Sequence, residues 1–281
     1  MLCTPNKTFQ LRQVQTSNSV FITQPTLEAH GNETATPTTC AIASCTATLE
    51  LHPADGSAVV YLEDELPVYD WVGGEVDVTE NHKTKARLFS HIPLSDGQCE
   101  QGWAEVVAFE LAGSAYRPSA NTLWQIWASI NAAALAEGVQ LDSQFIGEDL
   151  AKLVEEEGFP ASLAMAVFRH VGSADQATDQ RWCCLDRRNT VAFVGKTLLA
   201  SKHATSECLI ADFLENWKDA LPETWRADAE LETIVGSYDF PSTSTIRAKS
   251  AVSAPKVDAA NSKATAAKGK WHERFAKSRK K

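Results

Sequence analysis

No stretch of the chain approaches the ~18 uninterrupted apolar residues of a membrane-spanning helix, because its longest helical patterns carry Gln, Ser, Asn, Asp or Glu at every turn. No membrane partner is expected. Cysteine is sparse and unpatterned: Cys3, Cys40, Cys45, Cys99, Cys183, Cys184 and Cys208 are odd in number and form no C-x-x-C pair. Neither a disulfide framework nor a zinc ribbon is implied. The opening Met1-Leu2-Cys3-Thr4-Pro5-Asn6-Lys7 shows no basic leader before an apolar core, so a secretory signal is not expected and the environment reads as reducing. Adjacent Cys183 and Cys184 cannot both face one way on a strand, which predicts one in the core and one at the surface. The seven histidines are scattered, with none paired at helical spacing, and a serine-nucleophile elbow is missing. No metal, cofactor or catalytic residue is implied, and an enzyme is not expected.

What is present is ordinary globular material: 281 residues, 44% hydrophobic and 22% charged. The net charge of -10 conceals a division. From Pro241 to Lys281 there are eleven Lys or Arg against Asp258 and Glu273, whereas the other 240 residues carry 15 basic and 34 acidic side chains. An acidic body repels phosphate and a basic tail attracts it, so any nucleic-acid contact should be local to the tail or to small basic patches.

Residues 1–60 read as half-buried strands, with Phe9 and Leu11 alternating with polar neighbours, a β-branched and aromatic run at Ser19–Thr23, and alternation from Cys45 to Leu51. Pro25, Gly31-Asn32, Pro37 and Pro53-Ala54-Asp55-Gly56 supply turn chemistry between them. Three or so strands without a covering layer make a poor core, so something outside this segment should complete it. A short helix at 58–66, a turn at Gly73-Gly74 and a strand at Ala86–Phe89 follow. Ser95-Asp96-Gly97-Gln98 has capping-box form and predicts a helix presenting Trp103, Val106, Val107 and Leu111. Leu123, Ile126, Trp127, Ile130 and Ala134 then mark a core-facing helical stripe. A helix ending at Gly158 and another opening at Pro160 come next.

From Trp182 the pattern gives a short apolar run and a helix capped by Asp186. A second helix carries Ile210, Phe213, Leu214 and Trp217, and a third runs from Pro222 to about Ile234. Short strands at 235–240 and 244–247 close the segment. That order is the order of a winged helix, although a helical bundle with a frayed end gives nearly the same string. Beyond Ala248 too few bulky apolar residues remain to offset chain entropy, which predicts disorder. Trp271 and Phe275 lie four apart among cations and would share a face if this tail folds on a partner.

Gly195-Lys196-Thr197 echoes a phosphate-binding loop, but the first glycine is missing and Val191-Ala192-Phe193-Val194 lie on a helix face. His272-Glu273 begins like a zinc-protease helix, yet the fifth position is Ala276. Glu63-Asp64-Glu65 and Glu155-Glu156-Glu157 read as solvated helix faces. Arg187 and Arg188 at a helix start oppose the macrodipole; an acidic neighbour, a partner or phosphate would each account for them, as would simple exposure. Arg247, Lys249, Lys268, Lys270, Arg274, Lys277, Arg279, Lys280 and Lys281 suit either nuclear import or DNA contact, which the residues alone do not separate.

Leu2-Cys3-Thr4, Lys7-Thr8-Phe9 and Thr16-Ser17-Asn18 together resemble the signature segment of the sister chromatid cohesion protein DCC family, "defective in sister chromatid cohesion". Cys183-Cys184-Leu185-Asp186, Phe213-Leu214-Glu215-Asn216-Trp217 with Leu221-Pro222, and Gly236-Ser237-Tyr238 resemble its C-terminal region. The resemblance covers about residues 1–247. It implies a non-enzymatic subunit of the cohesion-type alternative clamp loader, a replication factor C variant acting on PCNA in the nucleus. In that family a β-barrel region assembles with a small accessory subunit and the large ATPase subunit, and winged helices engage DNA and the catalytic subunit of DNA polymerase epsilon. Family members carry further chain before the leucine-cysteine segment, so a barrel short of strands is expected here.

The combined expectation is an α+β chain. Residues 1–94 form an incomplete barrel docking partners through Phe9, Leu11, Val20, Ile22, Leu49 and Leu51. A helical or winged-helix region spans 95–181, a winged-helix module 182–247 and a disordered basic tail 248–281. The rival is a stand-alone winged-helix DNA-binding regulator whose β region serves self-association.

Overall fold

The protein is represented by a computed structural model that describes residues 1–28, 36–54, 56–72, 75–76, 83–173, 181–202, 204 and 206–249. It divides into a compact body, residues 1–248, and a tail, residues 249–281. Of the tail only Lys249 is among the described residues, so its expected disorder lies outside them.

Strand β1 (Leu2–Cys3) pairs with the start of β2 (Thr8–Glu28), which runs antiparallel to β3 (Thr36–Pro53) along a ribbon interrupted by register shifts between Gln15 and Val20 and between Ile22 and Thr23. The expected separate short strands are replaced by this single ribbon. Pro25 and Pro37 do not end strands but pair within it, opposite Thr39 and Leu27. A proline is tolerated there because a two-stranded ribbon consists only of edges, where a missing donor interrupts no central ladder. The expected turn at Gly31-Asn32 lies outside the described residues.

Next come α1 (Ala58–Glu65), β4 (Val68–Tyr69), the small hairpin β5 (Trp71–Val72) and β6 (Glu75–Val76), α2 (Lys85–His91), α3 (Asp96–Glu105), β7 (Phe109–Leu111) and β8 (Ser114–Pro118). Two expectations fail here. Ala86–Phe89 is helical, because Thr84 caps it by accepting from the Arg87 N–H at 3.3 Å and Lys85 pairs with Glu100 at 2.7 Å while lying over the Phe89 and Trp103 rings. Leu111 belongs to a β-hairpin rather than to the helix of Trp103. Val107 takes a left-handed φ of 52°, a costly conformation for a β-branched residue, and the chain leaves the helix there.

The elements from α1 to β8 form a first helix-and-strand unit; helix α4 (Ala120–Ala136) opens a second, followed by β9 (Phe145–Ile146), α5 (Gly147–Glu156), α6 (Ala161–Val171) and β10 (Trp182–Cys183). The third contains α7 (Arg187–Lys202), β11 (Cys208–Leu209), α8 (Ile210–Asp219), two 3₁₀ turns (Glu223–Asp228 and Leu231–Ile234), β12 (Tyr238–Asp239) and β13 (Thr245–Ala248). The expected third helix from Pro222 is therefore broken in two. Trp225, Ala229 and Ile234 are buried at spacings of four and five, which a continuous α-helix would not keep on one narrow stripe.

In the first and third units the last strand lies in the middle of a three-stranded sheet, whereas the second unit has a two-stranded sheet of β9 and β10. The orders are β4-β8-β7 and β11-β13-β12, and in the second unit the 182–185 segment pairs with β9 and, through Leu185, with Gly172. Among the described strand pairs only β4–β8 runs parallel. Two hydrophobic clusters result. The smaller draws together Ala58, Leu62, Leu88, Leu94, Cys99, Trp103 and Ala115, so residues on both sides of position 94 share one core. The larger extends from Tyr69 to Ile246 and includes the stripe of Ile126, Trp127, Ile130 and Ala134. Among the described residues the strands form small sheets and no closed barrel.

Candidate partner-docking ribbon and basic positions

The sequence from Thr8 to Pro53 favours strands chiefly through its ten threonines, joined by Val14, Val20, Ile22, Ile42, Phe9 and Phe21, residue types that suit a pleated surface. Thr26 and Thr38 add a cross-strand hydroxyl contact at 3.1 Å. Among the described residues most of its apolar side chains are exposed. Leu11 and Leu51 face each other across the ladder and are 44% and 47% exposed; Leu49 is 64% exposed. The consecutive residues Val20, Phe21 and Ile22 are all more than half exposed. Since neighbours on a strand point to opposite faces, both faces of the ribbon are apolar here.

Its edges are equally bare. Natural sheets protect an edge with charge, and these two strands carry only Arg12, Glu28 and Glu50 as Asp, Glu, Lys or Arg. Strand β1 covers β2 only at Thr8 and Phe9. A two-stranded hairpin is marginal by itself, so this surface calls for added strands or a covering layer.

The root of the ribbon is firmly held. Thr4, Pro5, Asn6 and Lys7 make a tight turn in which the Thr4 N–H donates to the Lys7 carbonyl at 2.8 Å. That turn rests on the start of α3, where Gly97 donates to the Pro5 carbonyl at 2.9 Å and any Cβ on Gly97 would stand 2.6 Å from Asn6 Oδ1. The capping box of Ser95 and Gln98 forms as its spacing predicts. Phe9 is only half-buried, next to buried Thr8.

Of the predicted ribbon residues, the structure brings Leu11, Leu49 and Leu51 into one stretch and places Val20 and Ile22 farther along. Sequence reasoning missed Phe21 and Ile42, 58% and 60% exposed. An alternating pattern assigns Phe21 to the polar face; only the absence of a covering layer shows that the second face is apolar too.

The basic candidates are not gathered. Arg187 is engaged within the fold: its Nε donates to Asp228, and its Nη2 to the Thr224 carbonyl at 2.7 Å. Of the alternatives open for it, the acidic neighbour is present. Arg188 is exposed and lines a hollow with Asp228 and Glu230. Arg247 is exposed on β13 opposite Asp239, and Lys249 is exposed. Lys268, Lys270, Trp271, Arg274, Phe275, Lys277, Arg279, Lys280 and Lys281 lie outside the described residues.

The third helical element of the first and last units is acidic. Helix α3 carries Asp96, Glu100 and Glu105, and the 3₁₀ turns with the residues joining them carry Glu223, Asp228, Glu230 and Glu232 against Arg226. The corresponding α6 has no acid and exposes Arg169, a position that composition alone did not single out.

Glycine 195 of the phosphate-loop echo is buried in α7 with the Trp217 indole against it. Cys183 is buried and Cys184 less so, as expected. Burial pushes the Cys183, Cys99 and Cys208 thiols up from their ordinary pKa. Among the described residues no cluster of three His, Cys, Asp or Glu could share a metal ion, and no helix is long and apolar enough to cross a membrane.

The sequence pattern of the family described as sister chromatid cohesion protein Dcc1 matches residues 1–259. The chain belongs to this family. No curated protein matches it. The family match spans the ribbon, the three helix-and-strand units and the start of the tail, and it links the chain to sister chromatid cohesion. Within that match, the Thr4–Lys7 turn and Thr8 have a structural meaning: the Pro5 carbonyl and the Thr8 hydroxyl fasten the ribbon to the start of α3.

Proposed function

We propose that this chain is a non-catalytic adaptor of the cohesion-type alternative clamp loader, linking PCNA handling to DNA polymerase epsilon and DNA in the nucleus. The observation that carries this is the bare ribbon, with apolar side chains on both faces and almost no charge along its edges. In this role residues 1–53 complete a barrel together with strands of the large ATPase subunit and the small accessory subunit. PCNA is contacted only through them.

In this reading the three helix-and-strand units act as winged helices, which the central last strand of the first and third sheets supports. They face the catalytic subunit of polymerase epsilon and DNA. Phosphate contacts come from Arg188, Arg247, Lys249 and the cations of the tail, joined by Arg169. Arg187 positions the 3₁₀ turn beneath them. The acidic third elements of the first and last units suit protein contacts better than a DNA groove, because carboxylates are repelled by phosphate. That charge also weighs against a stand-alone DNA-binding regulator.

Affinity purification of the full chain from extract should recover clamp-loader subunits and polymerase epsilon. The substitutions Val20→Asp and Ile22→Asp together should abolish recovery of the clamp-loader subunits while leaving the thermal transition of the helical units in place. Undiminished recovery would refute docking through the ribbon. For DNA, deleting residues 250–281 should weaken duplex binding and flatten its salt dependence, each lost phosphate contact removing about 0.9 from the log–log slope. An unchanged slope would remove the tail from the proposal.

A further inference from the structure

A groove at the seam of the second and third units has no part in that proposal. It encloses about 490 Å³ between the C-terminal end of α4 and the turn joining α8 to the first 3₁₀ segment. Leu141, Leu221 and Trp225, each at most 3% exposed, form its floor, and Leu135 stands on its rim at 83% exposed. An almost fully exposed leucine beside an apolar floor is surface waiting for a contact.

The groove is built rather than incidental. Trp127 Nε1 and Asn131 Nδ2 both donate to the Ala220 carbonyl, at 2.9 and 3.3 Å, and Trp225 Nε1 donates to Asp142 Oδ2 at 3.1 Å. These bonds span residues of the two units and fix both walls, so a ligand meets a preformed site.

Its electrostatics select the ligand. Asp142, Asp219 and Glu223 line it against the single cation Arg226. Helices α4 and α8 also both end there, at Ala136 and Asp219, and each C-terminus adds partial negative charge. Phosphate is repelled, which excludes nucleic acid. An acidic or purely apolar segment leaves the carboxylates uncompensated.

We propose that this groove takes a peptide segment of a partner protein in which one bulky apolar side chain stands beside a lysine or arginine. The apolar side chain packs on Leu135 and the Leu221–Trp225 floor, and the cation meets Asp219 and Glu223. Two such demands met side by side give specificity that neither alone would. The inference does not depend on the clamp-loader role, and its test uses no clamp-loader component.

A phage-displayed library of random 12-residue peptides is panned on the full chain, and the enriched peptides are synthesised and measured by fluorescence anisotropy. The expected peptides pair an apolar anchor with a cation. Their affinity falls at least about tenfold for Leu135→Ser, because burying one leucine is worth roughly 1.5–3 kcal/mol. It falls by a similar factor for the double variant Asp219→Lys, Glu223→Lys, and declines with added salt. All three positions are exposed, so the thermal melts of these variants should match the parent, and a restoring Asp219→Glu variant should bind as the parent does. Enrichment of acidic peptides, undiminished binding to the variants, or no peptide sensitive to them would overturn the proposal. Self-association of the parent chain that Leu135→Ser abolishes would assign the groove to a second copy and overturn it as well.

Discussion

The Thr8 hydroxyl accepts a hydrogen bond from the Ser95 backbone N–H at 2.8 Å, and it donates in turn to Gln98 Oε1 at 2.7 Å. A β-strand side chain thus enters the capping box of a helix 87 residues along the chain. Ser95 keeps its own role, its hydroxyl accepting from the Gln98 N–H at 3.3 Å. Lys7-Thr8-Phe9 therefore marks the point where the ribbon is anchored to the first helical unit.

Replacing Thr8 by Val preserves shape and removes the hydroxyl. The Thr8 bonds to the Ser95 N–H and to Gln98 Oε1 are both lost, at about 0.5–1.5 kcal/mol each, while the Ser95 N–H keeps its 3.4 Å bond to Gln98 Oε1. At roughly 2–4 °C per kcal/mol for a domain of this size, calorimetry should show a fall of several degrees. Thr8→Ser should recover most of it, and an unshifted Thr8→Val melt would show that the anchor does not matter.

Gly195→Ala tests why glycine stands in the middle of α7. A Cβ would lie 2.5 Å from Trp217 Cε2 and Cζ2, with the indole fully buried. Overpacking costs about 1–3 kcal/mol, more than the ~1 kcal/mol that alanine gains over glycine in a helix. Urea unfolding should therefore show net destabilisation. Lys196→Ala, exposed on the same helix, should leave the midpoint within error.

The Arg187–Asp228 pair is about 40% exposed on both sides, so solvent screens it. A double-mutant cycle with alanine at each position should give a coupling below about 1 kcal/mol. Arg187→Ala should leave the salt slope of duplex binding unchanged, whereas Arg247→Ala should reduce it by about 0.9. A slope change for Arg187→Ala would return that residue to the phosphate-binding set.

The thiols predict a pH limit. Burial raises the folded-state pKa of Cys99, Cys183 and Cys208. The unfolded chain ionises first, so their contribution is fully present below the unfolded thiol pKa of about 8.5 and is lost as pH rises beyond it. Denaturation midpoints should fall as the pH rises above about 8.5. Native alkylation at pH 8 should modify exposed Cys3, Cys40 and Cys45 ahead of buried Cys99 and Cys183, as peptide mass mapping would read out.

The sequence by itself determined the elements that depend on local chemistry. Ser95 with Gln98, Asp186 ahead of α7, Pro160 ahead of α6 and the stripe from Ile126 to Ala134 are legible because a cap or a 3.6-residue period needs only near neighbours. Asp186 Oδ1 accepts from the Asn189 N–H at 2.7 Å as its position predicts. The acidic body and the family signature belong here too. Tertiary structure decided the rest. Ala86–Phe89 became helix through contacts with Glu100 and Trp103, and the Pro222–Ile234 stretch broke into 3₁₀ turns to bury Trp225 and Ile234 together. The twofold apolar character of the ribbon, the anchoring of Thr8 and the seam groove beneath Leu135 follow from which surfaces have something packed on them. That is a property of distant segments meeting, or failing to meet, and no local pattern contains it.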